Sequence, residues 1–599
     1  MENRLRIRHF EKAEDMMQTR RLLALATGLS ALLAAPLPVL AATDALAVPT
    51  LVELVKETSL SGSYLAAQIA AKDNDDEAAV AYYKRSLELD PENTDLLRLY
   101  FLALTANGRI GDAVTVARSI PADDEQTAVV NLVYAVDALK RKDWTAAEAA
   151  LKQPASGDLD QMVEKLVVAW AAYGSGDTAR AISVATAIAG PDWVQVIRNY
   201  HSGLINAAAG NDRAALPLLF AAIENPDAAA VLSETYMRAV EELIAAHTRL
   251  GEFDKANLVF AKGRKLLASY PPFVSIGKAL EAKQAIASHI DTAQKGASEV
   301  FYNVGTAISR QGGTPFAQGY LQLADHIEKG NDVVMMALAG VFETQKRHDR
   351  ANAFYDQIPD SSAFFRRAEL EHALNFNELK RVDEAKARLQ KLIDSDPEDL
   401  LAYTTLGGVL SQHEEYVEAA AIYDLAASKI AKPEVQHWNL FYRRGIAHER
   451  IKQWDKAEAN FKKALELSPD QADVLNYLGY SWIDKGINLE EGLAMIRKAV
   501  ELSPRKGYII DSLGWAYFKV GRFEEAVTEL ERAVDILPQD PVLNDHLGDA
   551  YWKAGRKLEA TFQWNHALSS KPEADVEARI RLKLIKGYVE EVTPTATAQ

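Results

Sequence analysis

The sequence predicts an all-α protein made of tandem helical hairpins that stack into an α-solenoid superhelix with two lobes. Two observations support this prediction. A small residue recurs about every 34 residues along most of the chain, and a second small position lies about twelve residues before most of these marks. A fixed period of that length is typical of stacked helical hairpins. Small residues at both positions indicate a close helix crossing, because a bulky side chain would push the two helices apart.

The marks of this period define fourteen candidate repeats. They are Ala79, Ala113, Ala147, Ala181, Ala215, Ala256, Ala317, Ala351, Ala385, Ala419, Ala457, Gly492, Ala526 and Ala560. The small position before them is found at Gly203, Gly305, Ala339, Ala373, Gly407, Gly445, Gly479, Gly514 and Gly548. Prolines follow the second helix of several repeats and cannot continue it. These prolines are Pro397, Pro469, Pro504, Pro538 and Pro572.

The first 41 residues have the pattern of a cleaved export signal. Arg20 and Arg21 precede an apolar run over residues 22–33, and small residues spaced as signal peptidase prefers end at Ala41. A membrane anchor is the alternative, but the run is shorter than the roughly 20 residues of a spanning helix. Two prolines also interrupt its end. We therefore predict export to the periplasm, by either the general secretory or the twin-arginine route.

Two irregular spacings divide the array. The 61 residues between Ala256 and Ala317 leave room for an extra helix at about residues 272–295, whereas the 38 residues between Ala419 and Ala457 suggest only a longer loop or second helix. The expected parts are an export signal with an upstream extension (1–41), a linker (42–59), an N-terminal array of degenerate repeats (60–271), an inserted helix (272–297), a middle array (298–435), a C-terminal array (436–575), and a C-terminal helix with a flexible tail (576–599).

The later repeats resemble the tetratricopeptide repeat family. The family pattern of Leu-Gly, Tyr, Ala, an aromatic residue, Ala and Pro appears as Leu547, Gly548, Tyr551, Ala560, Trp564, Ala567 and Pro572. The resemblance covers roughly residues 60–575 and weakens toward the N-terminus, where Phe101 occupies the glycine position. It implies a scaffold rather than an enzyme, in which the first helix of each repeat lines a concave face that binds proteins or peptides.

The last repeats are also similar to Gram-negative envelope repeat proteins, including adaptors of carboxyl-terminal processing proteases. The segments that support this similarity are residues 476–480, 511–515 and 544–549. The similarity implies an envelope protease or cell-wall enzymes as partners. Those adaptors are lipoproteins, whereas this chain has no cysteine to acylate. We therefore expect no direct lipid anchor, and any membrane association would run through a partner.

Composition excludes several other functions. The chain carries 67 Lys and Arg against 84 Asp and Glu, a formal net charge of -17, and an acidic surface repels nucleic acid. The absence of cysteine excludes disulfides and thiolate metal ligands. No glycine-rich phosphate loop follows a strand-like run, and no His-Glu-x-x-His motif occurs. We therefore predict no cofactor, no metal and no enzymatic activity.

Aromatic and acidic residues dominate the positions that would line the concave face of the last repeats. The predicted binding residues are Tyr442, Tyr480, Asp511, Trp515, Phe518, Asp545, Asp549 and Trp552. Aromatic rings supply much of the energy of protein interfaces, and the acids would favour basic ligand groups. Each ring could equally pack between repeats. Asp545, His546 and Asp549 could in principle perform acid–base chemistry, but a role in the groove wall is favoured.

Two functional hypotheses remain at this point. The first is a periplasmic scaffold or adaptor that holds client proteins in its concave face. The second is a structural subunit of an outer-membrane or cell-wall assembly complex. Repeat arrays share their packing residues and vary the surface that recognises ligands, so the sequence does not identify the partner.

Overall fold

The computed structural model describes residues 51–121, 127–151, 157–224, 231–266 and 270–588. The chain divides into two compact units, Met1–Glu57 and Thr58–Gln599. The described part of the first unit contains one helix, α1 (Leu51–Lys56). The predicted export signal and most of the predicted linker lie outside the described residues.

The described part of the second unit contains α-helices and no strand. Its first helices are α2 (Leu60–Lys72), α3 (Asp76–Leu89), α4 (Thr94–Ala106), α5 (Ile110–Ala117), α6 (Thr127–Lys140), α7 (Trp144–Ala150), α8 (Asp158–Gly174), α9 (Thr178–Thr186), α10 (Asp192–Ala208), α11 (Asp212–Ile223), α12 (Ser233–Arg249), α13 (Phe253–Leu266) and α14 (Pro272–Glu281). They are followed by α15 (Ala293–Arg310), α16 (Thr314–Ile327), α17 (Asp332–Thr344), α18 (His348–Tyr355), α19 (Phe365–Glu378), α20 (Val382–Ser395), α21 (Leu400–Gln412) and α22 (Tyr416–Ser428). The last are α23 (Trp438–Arg450), α24 (Trp454–Leu467), α25 (Ala472–Asp484), α26 (Leu489–Leu502), α27 (Gly507–Lys519), α28 (Phe523–Ile536), α29 (Pro541–Lys553), α30 (Lys557–Ser569) and α31 (Ala574–Lys586).

Consecutive helices pack as antiparallel hairpins, which confirms the predicted solenoid fold. Six hairpins run from α2–α3 to α12–α13 and eight from α15–α16 to α29–α30. The small residues lie where the two helices cross. A Cβ on Gly514 would lie 2.5 Å from Leu530 Cγ, and a Cβ on Gly445 would lie 2.6 Å from Phe461 Cε1. Both glycines are therefore required by the close packing of their own hairpin.

The turns and helix ends follow from local chemistry. Gly521 and Gly555 have φ values of 79° and 85°, and glycine adopts this left-handed conformation without steric cost. Asp540 caps α29, since its carboxylate accepts hydrogen bonds from the backbone N–H groups of Val542 and Leu543. Pro541 occupies the first position of that helix, where its missing N–H costs nothing.

The extra helix between the two sets of hairpins is shorter than expected. Helix α14 ends at Glu281, and no helix forms again until Ala293. The connecting segment packs against α12 instead of continuing as a helix. Ile286 N–H donates to Thr248 Oγ1 at 2.9 Å, and Ser288 Oγ donates to Glu242 Oε2 at 3.0 Å. These side chains satisfy the polar groups of a segment that has no helical hydrogen bonds of its own.

The hydrophobic core does not divide at residues 272–297, where the period breaks. The largest core cluster runs from Val80 to Ala368, and a separate cluster begins at Leu370. Helix α15 packs against the first helices of earlier hairpins, α6, α8, α10 and α12, and α16 packs against α4, α5 and α6. The break in the period therefore marks the point where the chain returns onto its own N-terminal hairpins.

Candidate functional site

Five of the eight predicted binding residues line one cavity of about 480 Å3. The cavity lies between the first helices α25, α27 and α29 and the C-terminal helix α31, and we call it the C-terminal cavity. The five residues are Tyr480, Trp515, Phe518, Asp545 and Asp549. The structure thus brings together residues from three successive hairpins, and it adds α31 as a fourth wall.

An aromatic stack forms one side of the C-terminal cavity. The indole ring of Trp515 stacks on Phe518, at a centroid distance of 4.7 Å, and on His546, at 4.1 Å, and both pairs are nearly parallel. Phe518 also meets the ring of Tyr588 edge-on at 5.5 Å. Because His546 belongs to the next hairpin, the ring of Trp515 holds neighbouring hairpins together.

Asp511 forms a buried pair with His546 of the next hairpin. His546 Nδ1 lies 2.9 Å from Asp511 Oδ1 and 3.1 Å from Asp511 Oδ2. Burial alone would lower the pKa of His546, but the carboxylate of Asp511, helped by Asp545 and Asp549, outweighs this effect and raises it. This arrangement favours an imidazolium held against a carboxylate, so Asp511 already has a partner within the array.

Asp545 and Asp549 bind a lysine from α31. Lys583 Nζ donates to Asp545 Oδ1 at 2.8 Å and to Asp549 Oδ2 at 2.7 Å, and all three side chains are buried. Trp564 Nε1 also donates to Asp549 Oδ1 at 3.1 Å. Burial raises the pKa of Asp549 to about 6, although Lys583 opposes this shift. The basic group that these acids were expected to attract is thus supplied by the chain's own C-terminal helix.

The remaining two predicted residues pack between helices. Tyr442 lies 6.1 Å from the ring of Tyr477 and 6.2 Å from that of Phe461. Trp552 packs against Trp564 at 5.4 Å, and Gly587 lies so close that a Cβ there would overlap the indole ring. The acid–base grouping of Asp545, His546 and Asp549 is likewise divided, because His546 pairs with Asp511 and the two acids pair with Lys583.

A second surface, which the sequence analysis did not single out, is a groove of about 580 Å3 along α19, α21 and α23. We call it the middle groove. Leu374 and Leu401 in its wall are 39% and 51% exposed. Leu401 and Gly408 lie six residues before and one residue after the glycine position Gly407, where the family pattern places inward-facing side chains. The positional rule applied to the last four repeats would have found this groove one repeat earlier.

Two further observations concern membrane-spanning helices and metal sites. No helix within the described ranges is long and apolar enough to cross a membrane. Among the same residues, no group of His, Asp and Glu side chains is placed to hold a metal ion.

Comparisons with known proteins point to one family. Family models described as tetratricopeptide repeats or TPR repeats match residues 70–136, 370–434, 438–471 and 514–555. No curated protein matches the chain.

Several solved structures are similar. The Cut9–Hcn1 hetero-tetramer of APC/C shows 12% identity over 89% of this chain and 98% of that chain, with a TM-score of 0.36. YrrB, described as a TPR protein with an unusual peptide-binding site, shows 20% identity over 32% of this chain and 97% of that chain, with a TM-score of 0.26. TTC0263, described as a thermophilic TPR protein in Thermus thermophilus, shows 20% identity over 31% of this chain and 99% of that chain, with a TM-score of 0.28.

Proposed function

Since this chain is a tetratricopeptide-repeat protein, we propose that it is an exported scaffold or adaptor that binds other proteins through the inner face of its hairpins. One observation supports this proposal most directly. The inner wall of the last two hairpins holds the C-terminal segment through the ion pairs of Lys583, on the basic helix α31, with two buried acids and through the contact of Tyr588 with Phe518. A wall that binds a helix of its own chain has the chemistry needed to bind a helix or peptide of a partner.

The arrangement of the polar groups supports a binding role over a catalytic one. The candidate base and acids of the C-terminal cavity are tied to opposite charges, His546 to Asp511, and Asp545 and Asp549 to Lys583. Groups committed to buried ion pairs give a surface shape and rigidity. We therefore propose a non-enzymatic scaffold without a cofactor.

The binding proposal can be tested by photo-crosslinking in the full chain. A photoreactive amino acid replaces Lys519, a half-exposed residue at the rim of the C-terminal cavity, and in a matched variant it replaces Thr528, an exposed residue on α28, the second helix of the same hairpin. We expect covalent capture of the same partner protein from the native source by the Lys519 variant and little capture by the Thr528 variant. Equal capture at both positions, or capture at neither, would contradict binding of a partner at the C-terminal cavity.

We propose that the scaffold acts in the periplasm, with envelope proteases or cell-wall enzymes as its partner class. The support is the signal-like pattern of residues 1–41 together with the resemblance of the last repeats to envelope adaptors. Fractionation followed by N-terminal sequencing tests the location. The mature chain is expected to begin after Ala41 in the periplasmic fraction. An uncleaved chain in the cytoplasm would contradict export without affecting the binding proposal.

A further inference from the structure

We propose that the middle groove binds an extended peptide that combines leucine-like side chains with a carboxylate. This inference rests on the proposed function, because it assigns a partner chemistry to one part of the same inner face. The middle groove differs from the C-terminal cavity both in place and in charge.

The chain covers its own inner face on the N-terminal side of the middle groove. Helix α15 lies against α8, α10 and α12, where Arg238 Nη2 donates to Glu299 Oε2 at 2.8 Å. Trp170 on α8 is fully buried, and a Cβ on Gly296 of α15 would overlap its ring. The inner face of these early hairpins is therefore occupied by the chain itself.

The chain also covers its inner face on the C-terminal side of the middle groove. Lys583 of α31 binds Asp545 and Asp549 of α29, and the ring of Tyr588 contacts Phe518 of α27 edge-on. Between these two covered regions lies the middle groove. There, Leu374 and Leu401 are 39% and 51% exposed within the described part of the chain. Exposed apolar side chains that share a concave wall are typical of a site for a partner's apolar side chains.

The wall of the middle groove has free space beside Gly408. Its buried floor includes Val409 and Leu440, and Gly408 leaves the helix backbone uncovered at the centre of the wall. A Cβ on Gly408 would have only the guanidinium of Arg443 nearby, at 3.7 Å. Gly408 therefore leaves room for a peptide backbone to approach α21 closely.

The described lining of the middle groove carries a positive charge and no negative one. Among the described residues that line the groove, Arg443 is the one fully charged side chain, and no carboxylate is present. His437 adds a donor, since its Nδ1 accepts from Glu434 N–H at 2.9 Å, which leaves the ring proton of the neutral form on Nε2. In a chain of net charge -17, a groove without acids and with an exposed arginine selects for an acidic group.

The wall of the middle groove offers hydrogen-bonding side chains to a peptide backbone. The hydroxyls of Thr404 and Thr405 both donate to Leu401 C=O, at 3.0 Å and 2.7 Å, so their oxygen atoms can accept from peptide N–H groups. Asn439, exposed at the edge of α23, can both donate and accept. An extended segment offers alternating N–H and C=O groups to such a wall, whereas a helix would use those groups internally.

The test is selection from a displayed library of random dodecamer peptides on the immobilised full chain. We expect enrichment of peptides that contain Leu, Ile, Met or Phe together with Asp or Glu. The strongest peptide is then synthesised with a fluorophore, and its Kd is measured by anisotropy. Leu401→Asp and Arg443→Glu should each weaken binding at least tenfold. Two matched controls, Leu425→Asp on α22 and Lys391→Glu on α20, change exposed residues of second helices and should alter the Kd less than twofold.

Each result of this test has a defined meaning. Enriched peptides that are basic, or whose binding survives both groove variants, would overturn the assignment of the middle groove and leave the scaffold function standing. The absence of any enriched peptide would overturn this inference, while crosslinking at Lys519 would still report separately on the scaffold function. All four substituted residues are exposed, so folding of each variant is expected and is verified by circular dichroism.

Discussion

At the scale of single residues, buried polar side chains attach α15 to the early hairpins. Glu299 on α15 accepts from Tyr200 Oη at 2.8 Å and from Arg238 Nη2 at 2.8 Å. Burial alone would raise the pKa of Glu299, but Arg238, helped by His289 and Tyr200, outweighs burial and lowers it to about 2. A buried carboxylate that remains ionised in this way holds its partners in one geometry, because any displacement would leave a buried charge unpaired.

His201 makes the same contact sensitive to pH. Burial lowers the pKa of His201 to about 4, and the neutral ring accepts from Trp170 Nε1 at 3.1 Å while Nε2 faces Asn303 Oδ1 at 3.2 Å. In the unfolded chain the pKa is about 6.5, so between about pH 6.5 and about pH 4 the unfolded state binds more protons. The stability contributed by neutral His201 is therefore present above about pH 6.5 and is lost as pH falls through this window.

The prediction is tested with His201→Gln, which removes this titration. Hydrogen exchange of α15 amides, corrected for the intrinsic rate, is compared at pH 7 and pH 5. We expect the wild-type chain to lose more protection than the variant over this interval. All other side chains are the same in both proteins and serve as the internal control. The same loss of protection in both proteins would show that His201 does not control the contact.

Lys583 should contribute strongly to the stability of α29 to α31 at the end of the array. Lys583→Ala removes the cation that Asp545 and Asp549 share and leaves Asp545 beside Arg579 at 3.7 Å. Breaking a buried ion pair from one side typically costs about 3–5 kcal/mol. Lys586→Ala, three residues away on the same helix and exposed, is the matched control and should cost less than about 0.5 kcal/mol. Hydrogen exchange of α29 to α31 measures both. Equal protection in the two variants would mean that the acids find other partners.

At the scale of helices and hairpins, the sequence predicted the contacts within a hairpin and missed the contacts between hairpins. Gly514 and Ala526 meet inside one hairpin, so their spacing recurs along the chain and reveals the crossing. Gly296 also has a close contact, but its neighbour Trp170 lies in another hairpin far away in sequence, and no period records that pairing. The same reason explains Trp515, whose position was predicted but whose covering by His546 depends on the next hairpin.

The contact of α16 with the first hairpins should depend on one polar cluster. Arg347 Nη1 lies 2.6 Å from Asp76 Oδ2, and Gln318 Nε2 donates to the same oxygen at 2.8 Å. Arg347→Ala leaves Asp76 largely buried with fewer partners, at a typical cost of about 1–3 kcal/mol. We expect faster hydrogen exchange in α2 to α4. Arg109→Ala, which breaks an exposed pair with Asp112, should cost about 0–1 kcal/mol. Similar effects of the two variants would argue against a specific closing contact.

At the scale of the second unit, the division of the core predicts which fragments fold. The period alone would place the end of an N-terminal lobe near residue 271, whereas the core cluster continues to Ala368. Residues 58–290 lack α15 and α16, so that fragment would expose the side of Trp170 and Tyr200 that these helices bury. Residues 58–378 retain both helices and the complete cluster.

We therefore expect the fragment 58–378 to unfold in urea with a steep transition and to remain monomeric. The fragment 58–290 should unfold at a lower urea concentration, bind a hydrophobic dye and associate, because exposed apolar surface drives aggregation. Circular dichroism and size-exclusion chromatography measure these outcomes. The two fragments share the helices α2 to α14, so a difference between them reports on α15 to α19. Equal stability of the two would show that the early hairpins form their own core, as expected from the period, and that the returning helices add only a surface contact.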